Sequence, residues 1–157
     1  MTVCLSTLLD APPQRVWDEV NRTALLGYVA APLLTFEPVD PPAFPERWEE
    51  RDYHVRLRPF GGGAVGRQTI RIERPSSPGD VHVLRDNGSG TVARRWDHVM
   101  TVEPAAWGRT RYTDRVEIEA GPLTPAVWAV ARGFYGHRQR RWRRLVASGF
   151  QYGASAR

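Results

Sequence analysis

Apolar and polar positions along the chain fall into three regimes, each predicting its own kind of element. The first opens with VCLSTLL at 3–9, a β-prone run that stops at Asp10 and the pair Pro12 and Pro13. Prolines suit the first turn of a helix, where their missing N–H groups would lack a partner anyway. Val16 and Val20 then stand four apart with Trp17 beside them, so a short amphipathic helix is expected. A second short helix or an irregular turn is expected over 22–29 and a strand over 33–39. The strand runs into a proline-dense loop holding Pro38, Pro41, Pro42 and Pro45, which cannot supply a regular ladder of donors.

From about Trp48 the pattern changes to period two. Tyr53, Val55 and Leu57 alternate with Asp52, His54, Arg56 and Arg58, as in a half-buried strand. Gly61, Gly62 and Gly63 make a turn, and Gln68, Ile70 and Ile72 alternate with Thr69, Arg71 and Glu73 in the next strand. A turn cluster at 75–80 precedes a strand marked by Val81 and Val83, which DNGSG at 86–90 closes as another turn. Two longer strands are expected over 92–103 and 109–119, so five consecutive strands predict an antiparallel meander. The third regime has the helical period: Thr124, between Pro122 and Pro125, is the expected N-cap of a helix to about 148, roughly 37 Å long. Val127, Ala131, Phe134, Trp142, Leu145 and Gly149 share one arc of it with Val130 at the edge, while Arg132, Arg140, Arg143 and Arg144 face away.

The resulting order is an α+β fold: a strand, one or two short helices, about six more strands and a long C-terminal helix. A curved antiparallel sheet of about seven strands around one helix is not completely filled by that helix, so a cavity between them is expected. APPQRVWDEV after the first strand, RWDHVMTVEP followed by RTRYTDRVEIEAGPLTP, and FYGHRQRRWRRL in the last helix carry a resemblance over nearly the whole chain. On them the sequence resembles the START-like helix-grip superfamily, also called SRPBCC. That superfamily contains lipid-transfer domains, polyketide cyclases and aromatases, and the birch-pollen-allergen group. The resemblance implies a helix-grip fold and an internal ligand cavity, and leaves the ligand open. A single domain over 1–150 with a short tail over 151–157 is expected.

Composition narrows the chemistry. All 22 basic residues are arginine, so a Schiff base, a P-loop lysine and a lysine general base are unavailable. The lone Cys4 can form no intramolecular disulfide and no cysteine cluster can hold zinc. No stretch approaches the roughly 20 apolar residues of a membrane span, and no basic and apolar leader opens the chain, so a reduced cytoplasmic setting is expected. The net charge of +5 is unevenly placed. Residues 1–131 hold 15 arginines against 17 acids, whereas 132–157 hold seven arginines and no acid.

The inward face follows from alternation. Trp96, His98, Met100 and Val102 share the more apolar face of the sixth strand; Tyr112, Asp114, Val116 and Ile118 share that of the seventh. A five-residue connection over 104–108 would pair Glu103 with Arg109 and set His98 directly opposite Asp114, within reach of an imidazole and a carboxylate. Two readings of that pair stand. It is either a polar anchor whose free ring nitrogen meets a ligand, or a satisfied buried pair that pins register. Arg138 and Arg141 project onto the helix's apolar arc, either to pair with a ligand carboxylate or stack on Trp142 or Trp96, or else to snorkel past the sheet or pair with sheet carboxylates. Gly133 and Gly136 suggest either close packing against a strand or room for a ligand.

The remaining motifs weigh less. His54 and His82 are expected on the outer face and His137 near the border of the arc, so no metal site is expected. GGGAVG at 61–66 opens no helix and reads as a turn, not a phosphate loop. The proline-rich loop is either a lid or a rigid connection. No cofactor is implied.

Three function classes remain. The first is binding of a small hydrophobic or amphipathic molecule, with Trp96, His98, Met100, Tyr112, Asp114, Phe134 and Arg138 as the expected ligand-binding residues. The second is a cyclase- or aromatase-like enzyme with His98, Asp114 and Tyr112 as candidate catalytic groups. The third is binding of nucleic acid or an acidic surface through the helix arginines, whose patch lacks the interleaved aromatics of a specific reader. A small hydrophobic ligand is the expected partner, and no specific nucleic acid.

Overall fold

Alternating strands joined by short connections can pair only with their neighbours in the chain, and β2 to β7 do so. The computed structural model, which describes residues 1–153, runs β1 (Thr2–Leu9), α1 (Pro13–Val20), α2 (Thr23–Ala30), β2 (Leu34–Asp40), β3 (Asp52–Pro59), β4 (Gly66–Glu73), β5 (His82–Gly90), β6 (Arg95–Pro104), β7 (Thr110–Glu119) and α3 (Thr124–Ala147). All pairs in the seven-stranded sheet are antiparallel, in the order β1-β7-β6-β5-β4-β3-β2. Pro38 is tolerated because β2 is an edge strand with a register shift beside it. The expected C-terminal tail, 151–157, is described as far as Gly153; residues 154–157 lie outside the described part.

Helix α3 covers the other edge. Trp128 Nε1 donates to the carbonyl of Thr2 at 2.9 Å and Gln139 Nε2 to that of Leu5 at 2.6 Å, so free acceptors of β1 are taken up by helix side chains. This contact rotates the buried arc of α3 away from the one that apolarity alone indicates. Ala131, Trp142 and Leu145 are buried as expected, but Tyr135, Arg138 and Gln139 join them, and Val130 is 74% exposed. Thr124 is the first helical residue, not the cap; its hydroxyl accepts from the Ala120 N–H and donates to the Gly121 carbonyl. Gly149 lies beyond the apolar arc as the left-handed residue that ends the helix, at φ +68°. There the Phe150 N–H reaches the Leu145 carbonyl and the Gly149 N–H that of Val146. The chain then folds back, and the Tyr152 hydroxyl donates to the Glu19 carboxylate on α1.

Strand β5 differs most from expectation. DNGSG is not a turn but the second half of the strand, and the turn follows it. A Cβ at Gly88 would sit 2.6 Å from the Thr69 carbonyl, and one at Gly90 2.6 Å from that of Arg67. The two glycines therefore mark close approach of β4 and β5 rather than a reversal of the chain. The inner face of β5 is accordingly His82, Leu84, Asp86 and Gly88, each opposite an inner residue of β6, and not Val81 and Val83.

The helices and the concave face of the sheet enclose two apolar clusters. One gathers Val16, Val20, Leu25 and Trp48 with Tyr112, Trp142 and Leu145. The other holds Val3, Val116 and Ile118 against Ala131 and Tyr135.

Candidate functional site

A cavity of about 680 Å³ lies between sheet and helix, within the range of small-molecule sites. Leu25, Phe36, Trp48, Ile70, Trp96 and Phe134 give it apolar walls. Phe60, Val65, Val92, Leu123 and Val130 also line it, yet each is well exposed, so they mark an apolar mouth formed by two β-turns and the start of α3. Gly133 also lines it. A Cβ at Gly133 would meet nothing within 4 Å, and one at Gly136 only Arg140 Nη1 at 3.9 Å, so close packing explains neither glycine.

The lining carries a buried polar cluster, Asp86, His98 and Arg138, with the hydroxyl of buried Tyr135 beside it. The His98 ring donates or accepts through Nε2 at 2.8 Å from Asp114 Oδ1. The two residues are not directly opposite, however. The turn occupies 105–109, Pro104 stays in the ladder opposite Thr110, and His98 faces Val116 while Asp114 faces Met100. The shift is two residues, which preserves both faces, so the pair forms diagonally.

Asp114 and Tyr112 do not border the cavity; they form the layer behind His98. The Tyr112 hydroxyl donates to Asp114 Oδ1 at 2.9 Å, and Gln139 Nε2 approaches Oδ2 at 3.4 Å. Burial raises the Asp114 carboxyl, but the hydrogen bond from His98 and the charge of Arg138 outweigh it and hold the group below its ordinary range. Burial dominates at His98 and lowers it despite Asp114, so the imidazole is neutral at pH 7. A neutral ring beside a carboxylate donates through Nε2, which leaves Nδ1 as the acceptor. Tyr112 is raised well above its ordinary value by burial and by Asp114, so it stays a phenol.

Arg138 is 4% exposed and does not snorkel past the sheet. Its guanidinium packs 5.1 Å from the Tyr135 ring centre and 5.9 Å from that of Phe134. Burial alone would lower it; Asp114, Tyr112 and Tyr135 more than offset this and keep it charged. Arg141 is not a lining residue and instead donates to the Tyr28 carbonyl at 3.1 Å.

Asp86, Tyr135 and Gln139 are the members of the cluster absent from the sequence-based expectation. Asp86 stands directly opposite His98, and its Oδ1 accepts the Arg71 N–H at 2.9 Å where the β4–β5 ladder is interrupted. Burial pushes its carboxyl up to about 8. An unfolded aspartate titrates near 4, so proton retention by Asp86 stabilises the fold below about pH 4, and that contribution is lost as the pH rises to about 8. Asp86→Asn removes the titration. The variant's melting temperature relative to wild type is expected to climb from pH 5 and level off above about pH 8 in thermal scans; a pH-independent difference would contradict a protonated Asp86. Tyr135 accepts from Trp96 Nε1 at 3.3 Å and meets the His98 ring edge-on at 4.9 Å.

The other candidates are dispersed. His82 is on the inner face, not the outer, stacked on Trp17 at 5.1 Å. His54 bonds Thr69 and His137 bonds the Ala31 carbonyl. The proline-rich loop is tied down: Thr23 Oγ1 donates to the Pro45 carbonyl, and Phe44 packs on Trp48 and Tyr53. Arg132, Arg140, Arg143 and Arg144 are exposed as expected. Among the described residues no helix is long and apolar enough to cross a membrane.

No family model and no curated protein matches this sequence. Solved structures match over nearly the full length. TTHA0849 from Thermus thermophilus superposes with a TM-score of 0.68 at 15% identity, covering 96% of this chain and 100% of that one. The Zhui aromatase/cyclase from Streptomyces sp. R1128 gives 0.66 at 12% identity, covering 99% of each chain. A START superfamily protein from Mycobacterium smegmatis gives 0.66 at 11% identity, covering 94% and 97%. The protein has the START-like helix-grip fold.

Proposed function

We propose that the chain binds one small hydrophobic or amphipathic molecule, lipid-like or polyketide-like, in the cavity between sheet and C-terminal helix. The observation that carries this reading is an apolar cavity of about 680 Å³ with a small buried polar cluster on its wall, Asp86, His98 and Arg138 beside the Tyr135 hydroxyl. Apolar walls supply affinity and a few convergent polar groups supply orientation. Trp96, Met100 and Phe134 contact the ligand's apolar body, His98 and Arg138 its polar end, and Asp114 and Tyr112 act from behind by holding the imidazole. A reduced cytoplasmic setting goes with this reading; Cys4 is an exposed free thiol.

Native mass spectrometry of the purified protein, followed by extraction, is expected to show a retained small molecule or uptake of an added apolar one. Trp96→Ala, in a half-buried wall position, is expected to lower occupancy while leaving the fold intact. A protein that neither retains nor takes up any apolar compound would overturn the reading.

A second reading is favoured by one feature, the neutral His98 held through Nε2 by Asp114. An imidazole with Nδ1 free can take a proton from a bound polyketide-like substrate, as in a cyclase- or aromatase-like enzyme. The two readings part on His98→Ala. A carrier changes modestly in affinity, whereas an enzyme loses far more in kcat than in binding.

A further inference from the structure

The cavity's one buried cation has fewer partners than its burial demands. Arg138 Nε is buried without a hydrogen-bond partner, and Nη2 lies 3.8 Å from Asp114 Oδ1, too long for a hydrogen bond. Asp114 is the one carboxylate within 4 Å of it among the described residues. That carboxylate is already engaged by His98, Tyr112 and Gln139. Its oxygens are thus hydrogen-bonded by neutral donors, and besides the Asp114 charge the guanidinium has the Tyr112 hydroxyl, two aromatic faces and the cavity as neighbours, with Nε left unpartnered. Buried guanidinium groups are ordinarily hydrogen-bonded as well as charge-paired.

We propose that the bound molecule is an organic acid taken up as its monoanion, with its carboxylate seated on Arg138 and its apolar body along the Trp96 and Phe134 wall. This inference rests on the cavity-binding reading and sharpens it from an amphipathic ligand to an acidic one. The electrostatics of the wall agree. The ligand brings one negative charge and Arg138 the positive charge nearest to it; Arg138 is also the counter-charge of Asp114, whose oxygens are solvated by the neutral donors His98, Tyr112 and Gln139. Asp86, the other carboxyl on this wall, keeps its proton at neutral pH and adds no repulsion. Its O–H is a further donor for the same headgroup. A long-chain acid and an aromatic acid share this recognition; the walls fix only that the remainder is apolar.

The test uses the fluorescent apolar probe N-phenyl-1-naphthylamine as reporter, displaced by dodecanoate or by dodecanol at pH 7.4. The two competitors differ only in the headgroup. Wild type is expected to bind the probe and to release it at a dodecanoate concentration at least ~10-fold below that of dodecanol, the minimum for a charge-assisted pair in a dry site. Arg138→Met, which fills the same space with an apolar chain, is expected to keep probe affinity within about threefold and to lose the preference for the acid. The variant Arg140→Gln, Arg143→Gln, Arg144→Gln on the outer face is expected to keep the preference; its loss there would assign the effect to the exposed patch and overturn the inference. Equal displacement by acid and alcohol in wild type overturns it too, even where Arg138→Met does not fold, and leaves the cavity reading intact. Failure of wild type to bind the probe, with neither dodecanoate nor dodecanol taken up in native mass spectrometry, overturns the cavity reading itself.

Discussion

Asp114→Ala is expected to cost about 3–5 kcal/mol of unfolding free energy, the penalty for removing one partner of a buried ionic cluster. The carboxylate is fully buried and joins four side chains from three elements: His98 on β6, Tyr112 on its own strand, and Gln139 and Arg138 on α3. Alanine leaves a buried guanidinium without its nearest counter-charge and strips the phenol and the imidazole of their acceptor. Asp114→Asn keeps the shape and one acceptor and is expected to lose less, though its amide must present a donor where His98 or Tyr112 already does. Urea unfolding of both variants checks this. A loss below about 1 kcal/mol for alanine would mean that the cluster exchanges its partners freely, contrary to its burial.

Trp142→Ala is expected to be equally damaging, about 3–5 kcal/mol, for an unrelated reason. Trp142 is among the largest fully buried side chains, with its ring 5.3 Å from that of Tyr112. It fills the apolar cluster beside α1 and α2 and does not border the cavity. Truncation therefore opens a new void instead of enlarging the existing one. Its Nε1 is buried without a hydrogen-bond partner, so Trp142→Phe discards an unsatisfied donor along with some volume and is expected to cost well under half as much. Thermal melts of the two variants beside Trp96→Ala separate the roles of the tryptophans: Trp142 holds the fold, and Trp96 is expected to affect occupancy more than stability. Similar destabilisation by Trp96→Ala and Trp142→Ala would show that the cavity wall is also part of the packed core.

Architecture was legible in the chain wherever the hydrophobic period was clean. The first short helix after β1, the period-two strands β3 and β4, and the length of α3 all follow from spacing that survives without tertiary help, whereas 22–29 could be read as a helix or an irregular turn. Two elements resisted. DNGSG has turn composition, and only the close backbone approach at Gly88 and Gly90 makes it a strand; that approach depends on β4, roughly 20 residues away. The same misreading hid Asp86, because a residue placed in a turn is not assigned to a face. Alternation continued through Leu84 puts it on one face with His82, but His82 is itself expected on the outer face from the sequence, so the face of β5 is reversed as well. In α3 the arc of apolar residues left out Tyr135 and Gln139, whose burial is decided by hydrogen bonds to Trp96 and to the β1 edge. The His98–Asp114 pairing came through a register error because the slip was even. An odd slip would have separated the two residues to opposite faces.

The apolar mouth has a kinetic consequence. Val130 at the mouth and Arg138 in the polar cluster are eight residues apart on one helix, about 12 Å along its axis. An acid travelling headgroup first would shed much of its water among Phe60, Val65 and Leu123, although the exposed Arg67 also lines the cavity. The highest point of the route is thus the passage of the bare carboxylate, in both directions. For such a ligand, exchange would be slow relative to diffusion, and a seated acid would be expected to stay through dilution and washing. A bound acid would then leave quickly only when something outside the protein, such as a membrane or a second protein pressed against the rim, accepts the headgroup as it emerges.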